Sequence, residues 1–364
     1  MAGPTPEPMS PELERICGEL LREPLFHASL GSKELFHSNL LAWLADKYPH
    51  EMAGVMAAWS EADPGATHTP TKRETRRLDL VFRLPGRRPL VVENKMFAIP
   101  NPGQLIAYDS TIRDEAADAS KLLLALMPPG PLPPGWQSAS YGELAAALEH
   151  ATEGIRAQDA FDGEILTHYI SMIRNLHLLV SEIGVPGESD GLAIPSGMRP
   201  PLRSIRLESV FEKSRVSAVS GDVRQAVRDR GWDASEFIFD SGMTRGLALL
   251  SAYRRIRDDE YLGWQIQGDQ FRLAVKVGTA NRGSGRADRE AYVRASYDDW
   301  FDFSSLYEVA PDLAGLPGRR GDPNRLNSYE PDFAYLYVRC GGITRRQIVA
   351  AGLRYLERAE AFIV

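Results

Sequence analysis

The chain has 364 residues, 43% of them hydrophobic and 25% charged, with a formal net charge of −7; this is the balance of a globular protein long enough to bury a core, on a length that favours about two domains. Its two cysteines, Cys17 and Cys340, exclude a disulfide framework and a multi-cysteine zinc site and suit a reducing, cytoplasmic setting. No apolar run approaches the ~20 residues that span a bilayer, and the acidic balance argues against a non-specific coat on nucleic acid.

The N-terminal MAGPTPEPMSPELERI lacks the basic and apolar regions of a signal peptide and reads as a short disordered lead. A first helix is expected over about Pro11–Arg22. A second should start after Gly31-Ser32, with Ser32 as N-cap and Phe36, Leu40, Trp43 and Leu44 on its buried face. Gly54–Trp59 reads as helical and Asp63-Pro64-Gly65 as a turn. The period then changes. Leu78–Phe82 and Leu90–Val92 are short, apolar and β-branched, with Pro85-Gly86 between them, and predict a hairpin. Asn101 as N-cap and Pro102 at the first helical position predict a helix to about Asp118. Lys121–Met127 reads as a buried strand whose direction stays open. Two more helices are expected, over about Tyr141–Glu149 and Asp162–Ile183.

Residues 184–203 are rich in Gly, Pro and Ser and read as a linker between a first domain, 1–183, and a second, 204–364. In the second, Ser204–Arg230 looks helical. Leu247–Tyr253, Tyr261–Gln267 and Phe271–Val277 read as strands, with a tight turn at Gly268-Asp269. A loop over 278–289, a strand at Phe333–Val338 and a closing helix over Thr344–Phe362 follow.

The chemistry concentrates on Asp79, Glu93 and Lys95. Residues i and i+2 of a strand share a face, so Glu93 and Lys95 emerge side by side, and Asp79 on the neighbouring strand can approach them. Two carboxylates on rigid strands suit Mg²⁺ or Mn²⁺, and a lysine beside them can stabilise developing charge or position a water. Gln104 and Tyr108, four apart on the following helix, share one side of it. Glu34 on the early helix is available as a further carboxylate. The bland alternative is a structural hairpin with surface charges; against it, the charges end strongly apolar strands. From Thr71 to Arg88 the chain also carries Lys72, Arg73, Arg76, Arg77, Arg83, Arg87 and Arg88 against Glu74 and Asp79, a local patch suited to a polyanion.

Together KELFHSNLLAWLADKYP, RRLDLVF, LVVENKM and QLIAY resemble the PD-(D/E)XK nuclease superfamily over roughly Gly31 to Asp118. The similarity is greatest to bacterial members, some found near phage-defence genes. The resemblance implies an α/β fold, a restriction-endonuclease-like core in which helices flank a mixed central sheet; the second domain lies outside it and reads, from its own strands and helices, as a smaller α+β domain. It implies catalytic roles for Asp79, Glu93, Lys95, Gln104 and Tyr108, with Asp79, Glu93 and Glu34 as metal ligands. Leu78 replaces the proline that often precedes the first acid.

Other motifs carry less. The histidines, among them His37, His68, His150, His168 and His177, show no metal-ligand spacing. The segment from Gly278 to Arg286 lacks the ending of a phosphate loop. Tyr292, Tyr297, Trp300, Phe301 and Phe303 suit a core better than a base-stacking surface. The expected function is Mg²⁺-dependent DNA cleavage, with DNA preferred over RNA as partner and defence as the implied role. The alternatives are an RNA or single-strand nuclease with the same site, and a nucleic-acid-binding scaffold without turnover. The second domain could recognise nucleic acid, form a homodimer or sense a ligand.

Overall fold

The computed structural model describes residues 10–32, 34–98, 102–130, 132–244, 246–283, 285–316, 325–329 and 332–363. The N-terminal lead and the Asn101 cap lie outside the described residues. The chain forms two compact units, one running to Gly184 and including Ser196–Val210, the other Val185–Pro195 with Phe211–Val364.

The first unit opens with helices α1 (Pro11–Arg22), α2 (Pro24–Ser32), α3 (Glu34–Lys47) and α4 (Pro49–Val55). In α1, Ser10 accepts a hydrogen bond from Leu13 N–H, and Leu13, Ile16, Cys17 and Leu20 form its buried stripe. Ser32, expected as a cap, is the last residue of α2, so the chain is helical earlier than its Gly-Ser pair suggested.

Five strands follow in chain order, β1 (Thr69–Thr75), β2 (Leu78–Arg83), β3 (Leu90–Lys95), β4 (Ser120–Ala125) and β5 (Trp136–Ser140), with helix α5 (Pro102–Glu115) between β3 and β4. They form one sheet in the order β1-β2-β3-β4-β5. Strands β1, β2 and β3 pair antiparallel, whereas β3, β4 and β5 pair parallel. The sheet is therefore mixed, and the β3–α5–β4 crossover settles the direction of the Lys121 strand. Helix α5 covers one face through Leu105, Tyr108 and Ile112, packed on Val81, Val91 and Leu123. Helix α3 packs against β1, β2 and β3. Helices α6 (Tyr141–Gln158) and α7 (Ala160–Ile183) pack on each other, and α8 (Arg199–Ser204) packs on α1.

Strand β1 had no apolar alternation to reveal it. Its Thr-Pro-Thr-Lys-Arg-Glu-Thr sequence is tolerable only at a sheet edge, where proline and cations do no harm. Strand β5 was equally hidden by its polar Gln137, Ser138 and Ser140.

The second unit takes in most of α9 (Glu208–Asp229), and contains β6 (Phe237–Thr244), β7 (Leu247–Arg257), β8 (Glu260–Gln267), β9 (Gln270–Lys276), α10 (Arg286–Tyr297), α11 (Ser304–Val309), β10 (Asn327–Tyr329), β11 (Phe333–Arg339) and α12 (Arg345–Arg358). The strands make an antiparallel sheet in the order β10-β11-β9-β8-β7-β6. Gly268, at φ 60, forms the β8–β9 turn as its sequence required. Helix α10 begins inside the segment read as a loop. Tyr297, Trp300 and Phe301 are buried in the core of this unit, with Tyr292 and Phe303 packed against it. There Trp264 donates from Nε1 to Gly352 O at 3.0 Å, and only glycine fits, since a Cβ would come within 2.4 Å of the indole.

Candidate active site

The register of β2 and β3 pairs Leu80 with Val92, so the next step along each strand sets Asp79 opposite Glu93. Both share a sheet face with Val81 and Val91, the face covered by α5. Lys95, two residues beyond Glu93, turns to the same side, and its Nζ lies 2.7 Å from Glu93 Oε1. From α5, Gln104 Nε2 donates to the same oxygen at 3.1 Å and also to Tyr108 Oη. Asp79, Glu93, Lys95, Gln104 and Tyr108 thus meet in one cluster. The Glu34 Oε1 atom accepts from Phe97 N–H at 3.1 Å and Ala98 N–H at 2.8 Å, which ties the start of α3 to the chain leaving β3.

Burial decides the electrostatics. Glu93 is 1% exposed. Loss of hydration, then the neighbouring Asp79 charge, push its pKa up to about 7, against the pull of Lys95. Burial also raises Asp79; the Asn94 N–H and the Lys95 charge only partly offset this, and the Glu34 charge adds to the rise. Desolvation works against the Lys95 ammonium, yet the hydrogen bond and charge of Glu93 hold its pKa above the ordinary value. The centre therefore holds more negative charge than its one cation compensates.

A buried carboxylate in the second unit shows the contrast. Glu260, also 1% exposed, accepts from Tyr297, Tyr292, Asn281 and the Gly278 N–H. Desolvation would raise its pKa, but those bonds hold it below the usual value. Glu260 is a satisfied structural anion. Glu93 is not, because no donor reaches its buried Oε2 and only a proton shared with the facing Asp79 carboxyl could satisfy the pair.

That orphaned oxygen, beside a second carboxylate, fits a hard divalent cation. Among the described residues no three His, Cys, Asp or Glu side chains form a ready-made metal centre. Two carboxylates nonetheless match how Mg²⁺ is commonly held, with water and substrate phosphate completing its shell.

Sequence reasoning missed Asn94. One residue out of step with Glu93 and Lys95, it points to the opposite sheet face and is fully buried. Its Nδ2 donates to Glu34 O and Ser38 Oγ, both at 3.0 Å, and its Oδ1 accepts from Tyr141 Oη. Its only sequence signal was a polar residue inside an apolar strand, which requires partners.

The basic run divides between the two ends of the hairpin. Arg87 donates to Ser60 O at 3.1 Å and Arg88 pairs with Glu61 at 2.6 Å, at the closed end of β2–β3. That end lies on the order of 15 Å from Asp79 at ~3.3 Å per residue. Arg87 and Arg88 therefore do not flank the cluster. Arg76 and Arg77 take that place, exposed in the two-residue β1–β2 turn just before Leu78 and Asp79.

Residues 25–171 match the family model described as the PD-(D/E)XK nuclease superfamily. The matched span contains every residue of the cluster and ends before the second unit. No curated protein and no solved structure gave a match to the chain. The matched family makes a nuclease-type hydrolase the coarse assignment. By this match residues 25–171, the part of the chain that carries the α5-covered cluster on β2 and β3, belong to the PD-(D/E)XK nuclease superfamily.

Proposed function

We propose that the protein is a Mg²⁺- or Mn²⁺-dependent endonuclease acting on DNA, with phage defence as the role implied by its resemblance to defence-associated relatives. The observation that carries this reading is the state of Glu93, a buried carboxylate with one orphaned oxygen, facing Asp79 and flanked by Lys95. Asp79 and Glu93 would hold the ion, with Glu34 near enough for its charge to act on Asp79. When bound, the ion supplies Lewis-acid polarisation of the phosphate and a more acidic water.

The chain's own groups do the rest. Lys95, whose Nζ lies 2.7 Å from Glu93 Oε1, would orient the attacking water or meet charge developing on the phosphate. Gln104 fixes the Glu93 carboxylate through Oε1, and Tyr108 accepts from Gln104 in turn. The test is incubation of the purified protein with plasmid, linear and single-stranded DNA and with RNA, in Mg²⁺, Mn²⁺ or EDTA. DNA cleavage abolished by EDTA is the expected result. Cleavage of RNA alone would overturn the choice of DNA, and no cleavage of any substrate would overturn the enzyme.

A further inference from the structure

The antiparallel sheet of the second unit has two unlike faces. Helices α9, α10 and α12 contribute Val216, Val293 and Ile348 to the core on one of them. The other carries only a small cluster, Tyr253, Ala274 and Phe333 with Ile238, Tyr261 and Tyr335 beside it, and no helix residue belongs to that cluster. Strand alternation puts Arg255, Arg272 and Lys276 on this second face. Arg339 joins them but is paired with Asp269 in the β8–β9 turn. Among the described strand positions of this face the one acid is Asp240, on β6.

Arg272 is the centre of the arrangement. Its guanidinium stands 4.7 Å from the Tyr335 ring centroid. Nη1 donates to Gln265 Oε1 at 2.6 Å, while Nε and Nη2 donate to Gln270 Oε1 at 3.0 and 2.7 Å. Among the described residues no carboxylate pairs with it. A guanidinium has five N–H donors, so one on each terminal nitrogen is left over, which is the fork that grips a phosphate. Next to it, Phe333, Tyr335 and Tyr337 form a row of rings on β11, with centroids 5.7 and 6.5 Å apart. Rings at every second strand residue repeat at ~6.6 Å. The step between bases stacked in a duplex is ~3.4 Å. Bases seated on successive rings must therefore be unstacked from one another, which a duplex does not allow.

We propose that this face binds single-stranded DNA, with bases stacked on the half-buried Tyr335 and Tyr337 of β11 and phosphates on Arg272, Lys276 and Arg255. The choice of DNA rests on the function proposed above; the choice of a single strand rests on the ring spacing and the charge of the face. The second unit is then the module that holds a strand, and the cluster on β2 and β3 the one that cuts it.

The test is fluorescence anisotropy of a labelled oligothymidylate with the full chain in EDTA, where no cleavage interferes. Arg272→Ala and Tyr335→Ala should each weaken binding about tenfold or more, the scale of one lost stacked base. Lys276→Ala with Arg255→Ala, at positions that bear little on folding, should flatten the log–log salt slope by ~0.7 per lost phosphate contact. An unchanged affinity and slope in the double variant would overturn the proposal even if the Arg272 variant failed to fold. Duplex DNA bound as tightly as the single strand would overturn it, as would binding of a labelled oligouridylate but not of the oligothymidylate. Failure of the nuclease reading is a separate result: no metal-dependent cleavage by the parent protein while binding persists.

Discussion

Asp79 Oδ2 accepts a hydrogen bond at 2.8 Å from the backbone N–H of Asn94, the residue between the second carboxylate and the lysine. One residue therefore sets both strands. Its backbone fixes Asp79 on one face, and its side chain anchors β3 to α3 and α6 on the other. Replacing Asn94 by Ala would leave the Tyr141 hydroxyl, the Ser38 hydroxyl and the Glu34 carbonyl without this partner. The expected loss is roughly 2–4 kcal/mol of stability, the cost of unsatisfied buried polar groups in a network. Cleavage should fall more than tenfold even where the variant is folded. Urea titration and single-turnover cleavage on the same preparation check this; parental values in both would dismiss Asn94 as an organising residue.

The raised pKa of Glu93, about 7 against 4.5 when unfolded, links metal-free stability to pH. Between those values the native state holds more protons than the unfolded chain, so stability falls as pH rises through this window. Asp79 is shifted in the same direction and reinforces the trend. Lys95, raised from a much higher value, stays charged throughout and adds no slope there. The expected loss is about 1–3 kcal/mol across the window, from 1.36 kcal/mol per pKa unit. Glu93→Gln should remove most of it. Denaturant midpoints in EDTA at several pH values, parent against variant, make the check. Stability that rises over this window in the parent and is unaltered by the substitution would contradict the assignment.

Much of this centre was legible because its residues obey short-range periods. Glu93 and Lys95 are i and i+2 on a strand; Gln104 and Tyr108 are i and i+4 on a helix. Asn94 was not, because its side-chain partners Glu34, Ser38 and Tyr141 lie many residues away and only the fold brings them close. Strand β1 was hidden for a different reason. Its charges and Pro70 mimic a loop, and only its place at the sheet edge makes them acceptable. The helix face and the hairpin were thus readable, while the edge strand and the knot behind the site depended on tertiary structure.

The β1–β2 turn offers a trade between stability and binding. Arg76 and Arg77 have φ of 51 and 76, the left-handed region where Asn and Gly are at ease and arginine is strained by roughly 1–2 kcal/mol per residue. Arg76→Asn with Arg77→Gly should therefore raise the melting temperature. If these arginines engage the phosphate backbone, the same change should weaken DNA binding and lower its salt slope by at most ~0.9 per lost contact on duplex. Greater stability with unaltered binding would assign the turn to neither recognition nor catalysis.

Lys95→Ala and Asp79→Ala should abolish turnover by different routes. Asp79 is proposed to hold the ion, so its loss should weaken Mg²⁺ or Mn²⁺ binding along with cleavage. Lys95 sits 2.7 Å from Glu93 Oε1 and lowers the Glu93 pKa. Without it Glu93 protonates at a higher pH, so metal affinity should drop near neutrality and return to the parental value at higher pH, where the carboxylate is ionised in both proteins. Turnover should not return with it. Losing one such electrostatic partner costs on the order of 10²–10³ in rate, about 3–4 kcal/mol. Calorimetric metal titration at two pH values, beside single-turnover cleavage, separates the two roles. A Lys95→Ala protein that cleaves at the parental rate once Glu93 is ionised would show that the lysine serves only to keep that carboxylate charged, and the transition-state role given to it here would be wrong.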